Sequence, residues 1–224
     1  MQKTALLSYL LYEDGKIVID EMSPKDKFGK VFTNETKYHS QSVGKSISSY
    51  ILGHAICKGH IESIDAKLDD WPLVKNSLYH NQKIIDLINM KAGDEKYFSS
   101  KDKSNIFANS NSKYSVTNRT IKSVMENELK NSKKSGNKWA YNNLLPHLIM
   151  NYIIFKAGND EFLKLLEDAF TNKAKIEYDT SFAEPQTSTS EDKAITSTLL
   201  LTRYDYLRIA KAMLDDWQND TCEG

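Results

Sequence analysis

Residues 41–59 read QSVGKSISSYILGHAICKG, a stretch that combines a Ser-x-x-Lys pattern with apolar residues at helical spacing. Because residues three apart lie on one face of a helix, the Ser42 hydroxyl and the Lys45 amine are expected to meet. A hydroxyl beside an amine is the arrangement of a nucleophile and its base, so the stretch predicts an acyl-transfer site. The helix is predicted to end at Gly59, and its apolar stripe consists of Ile47, Tyr50, Ile51, His54 and Ala55.

The Ser-x-x-Lys pattern alone is weak evidence, because it occurs five times in this chain. Only Ser42 is followed by apolar residues at helical spacing. A structural alternative remains open, in which Ser42 caps the helix and Lys45 is solvated. The other four pairs lie in polar, aperiodic stretches and are interpreted as loop: Ser100/Lys103, Ser110/Lys113, Ser135/Lys138 and Ser190/Lys193.

Composition limits the possible functions. The chain has 224 residues, 40% of them hydrophobic, with 30 basic and 30 acidic side chains. It can bury a substantial core, but a chain without net charge is not expected to bind nucleic acid. No apolar stretch approaches the ~20 residues of a membrane span, and residues 1–16 lack the order of a signal peptide. We therefore expect a soluble protein, whether cytoplasmic or, after processing, periplasmic or secreted.

Neither the cysteines nor the histidines predict a cross-link or a metal site. Cys57 is expected to be a small buried thiol inside the helix, and Cys222 lies near the last residue, so no disulfide framework is predicted. The histidines show no His-x-x-x-His spacing, and there is no Cys-x-x-Cys pair. No metal and no cofactor are expected, and each histidine is interpreted as a surface or packing residue: His39, His54, His60, His80 and His147.

The chain begins with a predicted β-hairpin and continues mainly as helices. Residues 5–12 and 17–19 flank Asp14-Gly15, a pair that suits a tight turn with positive φ. Thr202 and Asp205 have the spacing of a helix capping box. A short apolar pattern at 61–71 ends at Pro72. Helices are predicted at 83–90, 119–129, 144–156, 161–170 and 204–214, and long loops at 99–118 and 180–193.

A hairpin alone is a marginal sheet, so this one must pair with further strands or pack on the helices. Downstream of residue 22, however, the sequence shows no second run of alternating β-branched residues before Gly224. The sheet that the hairpin implies is therefore expected to be incomplete within these residues.

Several segments follow one another in a recognisable order: 41–59 with 64–72, then 87–93, 135–143 and 203–214. Together they resemble the penicillin-recognising serine hydrolases. The order of the segments, from about residue 4 to residue 224, resembles most the class C β-lactamase-like branch, which includes esterases, D-alanyl-D-alanine peptidases and aminohexanoate-oligomer hydrolases. Residues 41–59 with 64–72 are similar to the active-site helix and the segment after it. LINMKAG at 87–93 is similar to the family's Leu-Leu-x-x-x-Ser-Gly, SGNKWAYNN at 135–143 to its Pro-Gly-x-x-Trp-x-Tyr-Ser-Asn loop, and 203–214 to a later helix.

The resemblance implies an acyl-enzyme mechanism. Ser42 would attack a carbonyl, and its proton would pass to Lys45 or to Tyr141, which would act as relay or as ionised base. The resemblance also implies that Asn143 orients the substrate amide or the Lys45 ammonium, and that the backbone N–H of Ser42 forms half of the oxyanion hole. From spacing alone, Tyr141 could equally well be a residue that staples the helix after it, and Tyr79-His80-Asn81 repeats the Tyr-x-Asn text.

One family element is missing. No Lys-Thr-Gly or His-x-Gly motif on a late strand follows Asn143, and residues 134–136 (KSG) precede the tyrosine motif in a polar loop. We therefore predict an α+β protein with a helix-rich β-lactamase/transpeptidase-like fold whose antiparallel sheet lacks its C-terminal strands. Residues 1–224 would form one incomplete domain: hairpin and nucleophile helix in 1–60, mainly helices in 61–200, and a returning helix in 201–224. A missing C-terminal segment or another chain would complete the sheet.

The predicted function is that of a serine hydrolase acting on a small-molecule or peptide substrate with an ester, amide or β-lactam carbonyl. The sequence does not choose among these substrates, because loops and absent strands would do so. Two alternatives stay open. One is a catalytically inactive or truncated β-lactamase-like protein that binds such a ligand, and the other is a helical interaction module with fortuitous motifs.

Overall fold

The helix that follows Ser42 lies at the centre of the computed structural model, which describes residues 6–23, 25–26, 29–98, 121–182 and 197–223. This helix, α1 (Val43–Cys57), packs against two later helices, α5 (Leu144–Ala157) and α6 (Asn159–Leu166). Gly59 follows α1 with φ +79°, a conformation that suits glycine at a helix end. All five residues of the predicted apolar stripe are buried, so the predicted helix is confirmed: Ile47, Tyr50, Ile51, His54 and Ala55.

The remaining predicted helices are present with shifted ends. Two of them continue as π-helical turns, α4 (Ile121–Ser123) through Val124–Glu128 and α6 through Glu167–Lys173. The rest are α2 (Ile84–Ile88), the short α3 (Glu95–Phe98) and α7 (Arg203–Gln218), with a 3-10 turn at Pro72–Val74. The predicted loop at 99–118 and most of the one at 180–193 lie outside the described residues. None of the helices described is both long and apolar enough to cross a bilayer.

The predicted hairpin is confirmed. Strands β1 (Ser8–Glu13) and β2 (Lys16–Met22) pair antiparallel, and both turn residues, Asp14 and Gly15, have positive φ. The hairpin is held to the rest of the protein by Arg203, whose guanidinium donates to the Asp20 carboxylate at 2.6 Å and to the Ser8 hydroxyl at 2.7 Å. Because Arg203 is only 6% exposed, these charge-assisted bonds fix the hairpin against the start of α7.

The expectation of no further strands after residue 22 is wrong. Three short strands form a second antiparallel sheet in the order β3 (Lys37–His39), β5 (Leu199–Thr202), β4 (Ser181–Phe182). The sequence signal was missed because β5 consists of three leucines and a threonine, with three of the four residues buried, and so it shows no alternation. In the described residues, no strand of this sheet pairs with the hairpin. The mixture of helices and antiparallel sheets is that of an α+β protein.

The two cysteines form a disulfide, contrary to the expectation of a buried free thiol. Cys57 and Cys222 are 165 residues apart in sequence, but their Cα atoms lie 5.8 Å apart. They meet because the segment after α7 turns back along α1, where a Cβ on Gly53 would lie 2.7 Å from the Glu223 carbonyl oxygen. Lys173 ties this segment down by ion pairs with Asp216 and Glu223 at 2.8 and 3.3 Å. Spacing in sequence gives no hint of such a contact.

The disulfide leads to a stability prediction. Protein purified without reductant should show no free thiol when it is denatured and titrated with a thiol reagent. Cys57→Ser should then lower the free energy of unfolding by about 2 to 4 kcal/mol, because the cross-link restricts the unfolded chain. Urea unfolding of both proteins measures this. Two free thiols in the unreduced protein would contradict the pairing.

Candidate active site

The backbone around Ser42 is shaped by its two neighbours. Gln41, just before Ser42, has φ +47°, a left-handed conformation that is uncommon for a residue with a side chain and that clusters at functional sites. Two residues later, Gly44 allows a close approach, because a Cβ there would lie 1.9 Å from the Ser197 carbonyl oxygen and 2.5 Å from Ser40 Oγ. Only glycine fits at this position, and the first turn of α1 is therefore fixed against the segment that leads into β5.

Three predicted site residues come together at this turn. Ser42 Oγ and Tyr141 Oη lie 2.6 Å apart, and Lys45 Nζ donates to Ser42 Oγ at 3.2 Å. The Lys45 ammonium also lies 5.0 Å from the centre of the Tyr141 ring. The Ser42 side chain makes no capping bond to the helix, so the alternative of a purely structural cap is not what the structure shows. The predicted proximity of the three side chains is confirmed.

Tyr141 is held at the surface and is electrostatically activated. Its side chain is 47% exposed, and its ring centre lies 6.3 Å from that of Trp139. Burial acts to raise the pKa of Tyr141, but the neighbouring Lys45 ammonium and the Ser42 hydroxyl stabilise the phenolate and hold the pKa below its ordinary value. A phenol in this setting loses its proton more readily than a free tyrosine.

Asn143 is not brought into contact with the other three residues. It is exposed at the first turn of α5, and its side chain makes no hydrogen bond with any residue that the structure describes. Its neighbour Asn142 is buried instead. The assignment of Asn143 to substrate binding therefore stays a prediction.

The competing sequence motifs lie elsewhere in the fold or outside the described residues. Tyr79 is fully buried and donates to Asp94 at 2.8 Å. Ser135 donates its hydroxyl to the Gly93 carbonyl at 3.0 Å, and Lys134 donates to the Gln82 side chain at 3.2 Å. The Ser100, Ser110 and Ser190 pairs fall in the stretches that the structure leaves undescribed.

His147 lies beside the site, although the sequence indicated only a packing or surface residue. It accepts a hydrogen bond at Nδ1 from the backbone N–H of Ser197 at 2.8 Å. Burial and the positive charge of Lys45 lower the pKa of His147 to about 4. A neutral imidazole thus holds the segment that packs on Gly44. One signal could have indicated it, since His147 lies in the first turn of α5, six residues after Tyr141.

This environment predicts a pH dependence of stability. The unfolded chain takes up a proton on His147 below its ordinary pKa of 6.5, whereas the folded protein resists until pH 4. The free energy of unfolding should therefore fall between about pH 6.5 and pH 4, by up to about 3 kcal/mol from this group. In His147→Asn, which still offers an acceptor to Ser197 but does not titrate, urea unfolding should show a smaller fall. An identical fall in both proteins would contradict the assignment.

An apolar groove adjoins the site on the other face of α1. It has a volume of about 790 Å³ and lies between the hairpin, α1 and α7. Two residues on its wall, Leu6 and Val43, are each 57% exposed. Other lining residues are Leu10, Ile47, Leu207 and Met213. Within the described residues, no group of His, Cys, Asp and Glu side chains is arranged to hold a metal ion.

Comparison with known proteins gives likenesses to solved structures. Neither the protein-family models nor the curated proteins searched match the chain. Among solved structures, a class C beta lactamase from Rhodobacter sphaeroides superposes with a TM-score of 0.57 at 14% identity. The alignment covers 90% of this chain, and this chain spans 58% of the β-lactamase chain. At this identity the likeness shows a β-lactamase-like fold and says nothing further about the site.

Proposed function

We propose that the protein is a serine hydrolase that forms an acyl-enzyme on an ester, amide or β-lactam carbonyl. The observation that carries the proposal is the contact of Ser42 Oγ with both Tyr141 Oη and Lys45 Nζ, at 2.6 and 3.2 Å. The β-lactamase-like fold supports it, since the chain shares that fold with a class C β-lactamase. A serine that contacts two possible proton acceptors is the arrangement that activates a hydroxyl nucleophile.

In the proposed mechanism, Ser42 Oγ forms a bond to the substrate carbonyl carbon and its proton passes to Tyr141 Oη. Tyr141 suits this step because its pKa is held below the ordinary value, with the Lys45 ammonium stabilising the phenolate. The leaving group then takes the proton from Tyr141 as its bond to the carbonyl carbon breaks. Water then attacks the carbonyl carbon of the acyl-enzyme and gives a proton to Tyr141 Oη. That proton passes to Ser42 Oγ as the bond between Ser42 Oγ and the carbonyl carbon breaks. Lys45 is the alternative acceptor, if it is neutral when the substrate binds.

Charge that develops on the carbonyl oxygen needs hydrogen-bond donors. We assign one to the backbone N–H of Ser42, which donates to no acceptor among the residues described. Asn143 is proposed to bind the substrate amide, because it is exposed beside Tyr141 and leaves its side-chain amide free of other described contacts. A second oxyanion donor is assigned to none of the described residues.

We also propose that an extended polypeptide segment outside residues 1–224, apolar on one face, pairs with the hairpin and covers the apolar groove. Two strands are marginal alone, and exposed Leu6 and Val43 leave an apolar wall open to solvent. The 224-residue chain should then remain a monomer and bind the dye ANS, and Val43→Asp should weaken that binding. Concentration-dependent dimers that exclude the dye would instead assign the groove to a second copy of the chain.

The experiment that tests the hydrolase proposal is a burst measurement with p-nitrophenyl acetate. The protein should release p-nitrophenol in an initial burst followed by slower turnover. Ser42→Ala should show no burst, whereas Ser46→Ala, one turn along the same helix and also exposed, should retain it. A burst that survives in Ser42→Ala would refute the nucleophile, and binding of the ester without any burst would favour the inactive binding protein.

A further inference from the structure

The loop that carries Tyr141 is docked on the segment after α2. The backbone N–H of Ala140 donates to the Met90 carbonyl at 2.9 Å, and that of Ser135 donates to the Gly93 carbonyl at 2.7 Å. Gly93 has φ +76°, and a Cβ there would lie 2.4 Å from the carbonyl oxygen of Gly136. The two segments therefore touch backbone to backbone just before Tyr141.

A buried polar group lies directly beneath this loop. Asn142 Nδ2 donates to Asp94 Oδ2 at 2.7 Å, and the Tyr79 hydroxyl donates to the same oxygen at 2.8 Å. All three side chains are at most 1% exposed. Burial raises the pKa of Asp94, and the hydrogen bonds from Tyr79 and Asn142 oppose that rise. These residues come from three separate parts of the chain, so their contact fixes the loop to the core.

Asn142 also fixes the helix that follows. Its Oδ1 accepts from the backbone N–H of Leu144 at 2.7 Å, which satisfies one of the unpaired donors at the start of α5. The side chain thus uses its donor on Asp94 and its acceptor on the helix. Loss of either hydrogen bond would leave a buried polar group without a partner, which lowers the free energy of unfolding.

Exposure alternates along the motif, with Tyr141 exposed, Asn142 buried and Asn143 exposed. Because Tyr141 is 47% exposed, packing around its own ring constrains it only in part. Its Cα lies one peptide unit, about 3.8 Å, from that of Asn142. The contacts that hold Asn142 therefore limit the positions that the Tyr141 phenol can reach.

We infer that Asp94 and Tyr79 are positioning residues that hold Asn142 and thereby place the Tyr141 hydroxyl on Ser42. The expected effect on acylation rests on the proposed function, whereas the expected effect on the position of Tyr141 does not. The middle residue of Tyr141-Asn142-Asn143 then acts as the anchor of the motif, while its two neighbours face the solvent.

The test follows the Tyr141 phenol directly, by NMR titration of protein with carbon-13 at the tyrosine ζ position. Tyr141→Phe assigns the signal. In Asp94→Leu and Asn142→Ala the pKa of Tyr141 should move up toward ~10, the value of a free phenol. Asp94→Asn keeps an oxygen where Tyr79 and Asn142 donate, so it should leave the pKa of Tyr141 near that of the unmodified protein.

A matched pair of variants separates positioning from general destabilisation. Tyr79→Phe removes a buried hydroxyl that donates to Asp94, and Tyr50→Phe removes one that donates to Asp216 at 2.6 Å in another part of the core. Only Tyr79→Phe should raise the pKa of Tyr141. Tyr79→Phe also provides the test if Asp94→Leu does not fold. An unchanged Tyr141 pKa in folded Asn142→Ala and Tyr79→Phe, or an equal rise in Tyr50→Phe, would overturn the inference.

The catalytic consequence is measured separately. Acylation by an activated ester should slow about 10- to 100-fold in Asn142→Ala, as expected for a reacting group displaced by about 1 Å, and Asp94→Asn should stay within about threefold of the unmodified protein. If Ser42→Ala acylates as fast as the unmodified protein while the Tyr141 pKa still responds, the proposed function fails and the positioning role stands. If acylation depends on Ser42 but not on Asn142, the proposed function stands and the catalytic consequence of positioning fails.

Discussion

Replacing Lys45 by methionine is expected to slow acylation of Ser42 by about 100- to 10,000-fold, the usual contribution of a positioned acid or base. Lys45 donates to Ser42 at 3.2 Å and holds the pKa of Tyr141 below its ordinary value, so methionine removes both effects. Methionine is also a good helix former, and the free energy of unfolding should change by less than about 1 kcal/mol. Stopped-flow labelling with a fluorophosphonate measures the rate.

Lys96→Met is the matched control for this prediction. Lys96 Nζ lies 4.8 Å from the centre of the Tyr97 ring, so it forms a similar pair with a tyrosine, but neither residue contacts Ser42. Its loss should leave the labelling rate unchanged. A Lys45→Met protein that is labelled as fast as the Lys96→Met protein would show that Lys45 takes no part in activating Ser42.

Gly44→Ala is expected to reduce labelling by about 100-fold or more, with a loss of stability of about 1 to 3 kcal/mol. The added methyl would lie 1.9 Å from the Ser197 carbonyl oxygen, so the first turn of α1 or the segment into β5 must move. A movement of the first turn carries Ser42 and Lys45 together away from Tyr141, which now lies 2.6 Å from Ser42 Oγ. Labelling rates and urea unfolding measure the two effects.

Gly53→Ala separates the two effects, because it also adds a methyl to α1 at a tight contact, 2.7 Å from the Glu223 carbonyl oxygen. Gly53 lies about 13 Å further along the helix from Gly44. It should therefore destabilise the protein and leave labelling of the folded fraction intact. Equal losses of labelling in the two variants would mean that Gly44 matters for stability alone.

The sequence predicted the elements whose signal is local. The apolar stripe of α1, the turn at Asp14-Gly15 and the capping box at the start of α7 are all present, with Thr202 accepting from the Asp205 backbone N–H at 3.2 Å. The proximity of Ser42 to Lys45 follows from helical spacing alone. Its proximity to Tyr141 depended on the resemblance to a known family, because the two residues are 99 positions apart.

Features that depend on distant contacts were missed. The disulfide joins residues 165 positions apart, and nothing near Cys57 or Cys222 in the sequence indicates the pairing. Strand β5 is short and begins with three leucines in a row, so it lacks the alternation that identifies a half-buried strand. The anchoring contact of Asn142 leaves no trace in the local sequence, because its partner Asp94 is 48 positions away.

The position of the covalent adduct decides whether Ser42 is the nucleophile. The protein is incubated with a fluorophosphonate probe and digested, and the modified residue is identified by tandem mass spectrometry, with Ser42→Ala treated in parallel. We expect one adduct, on Ser42, and its disappearance in Ser42→Ala. An adduct on another serine, or equal labelling of the Ser42→Ala protein, would contradict it.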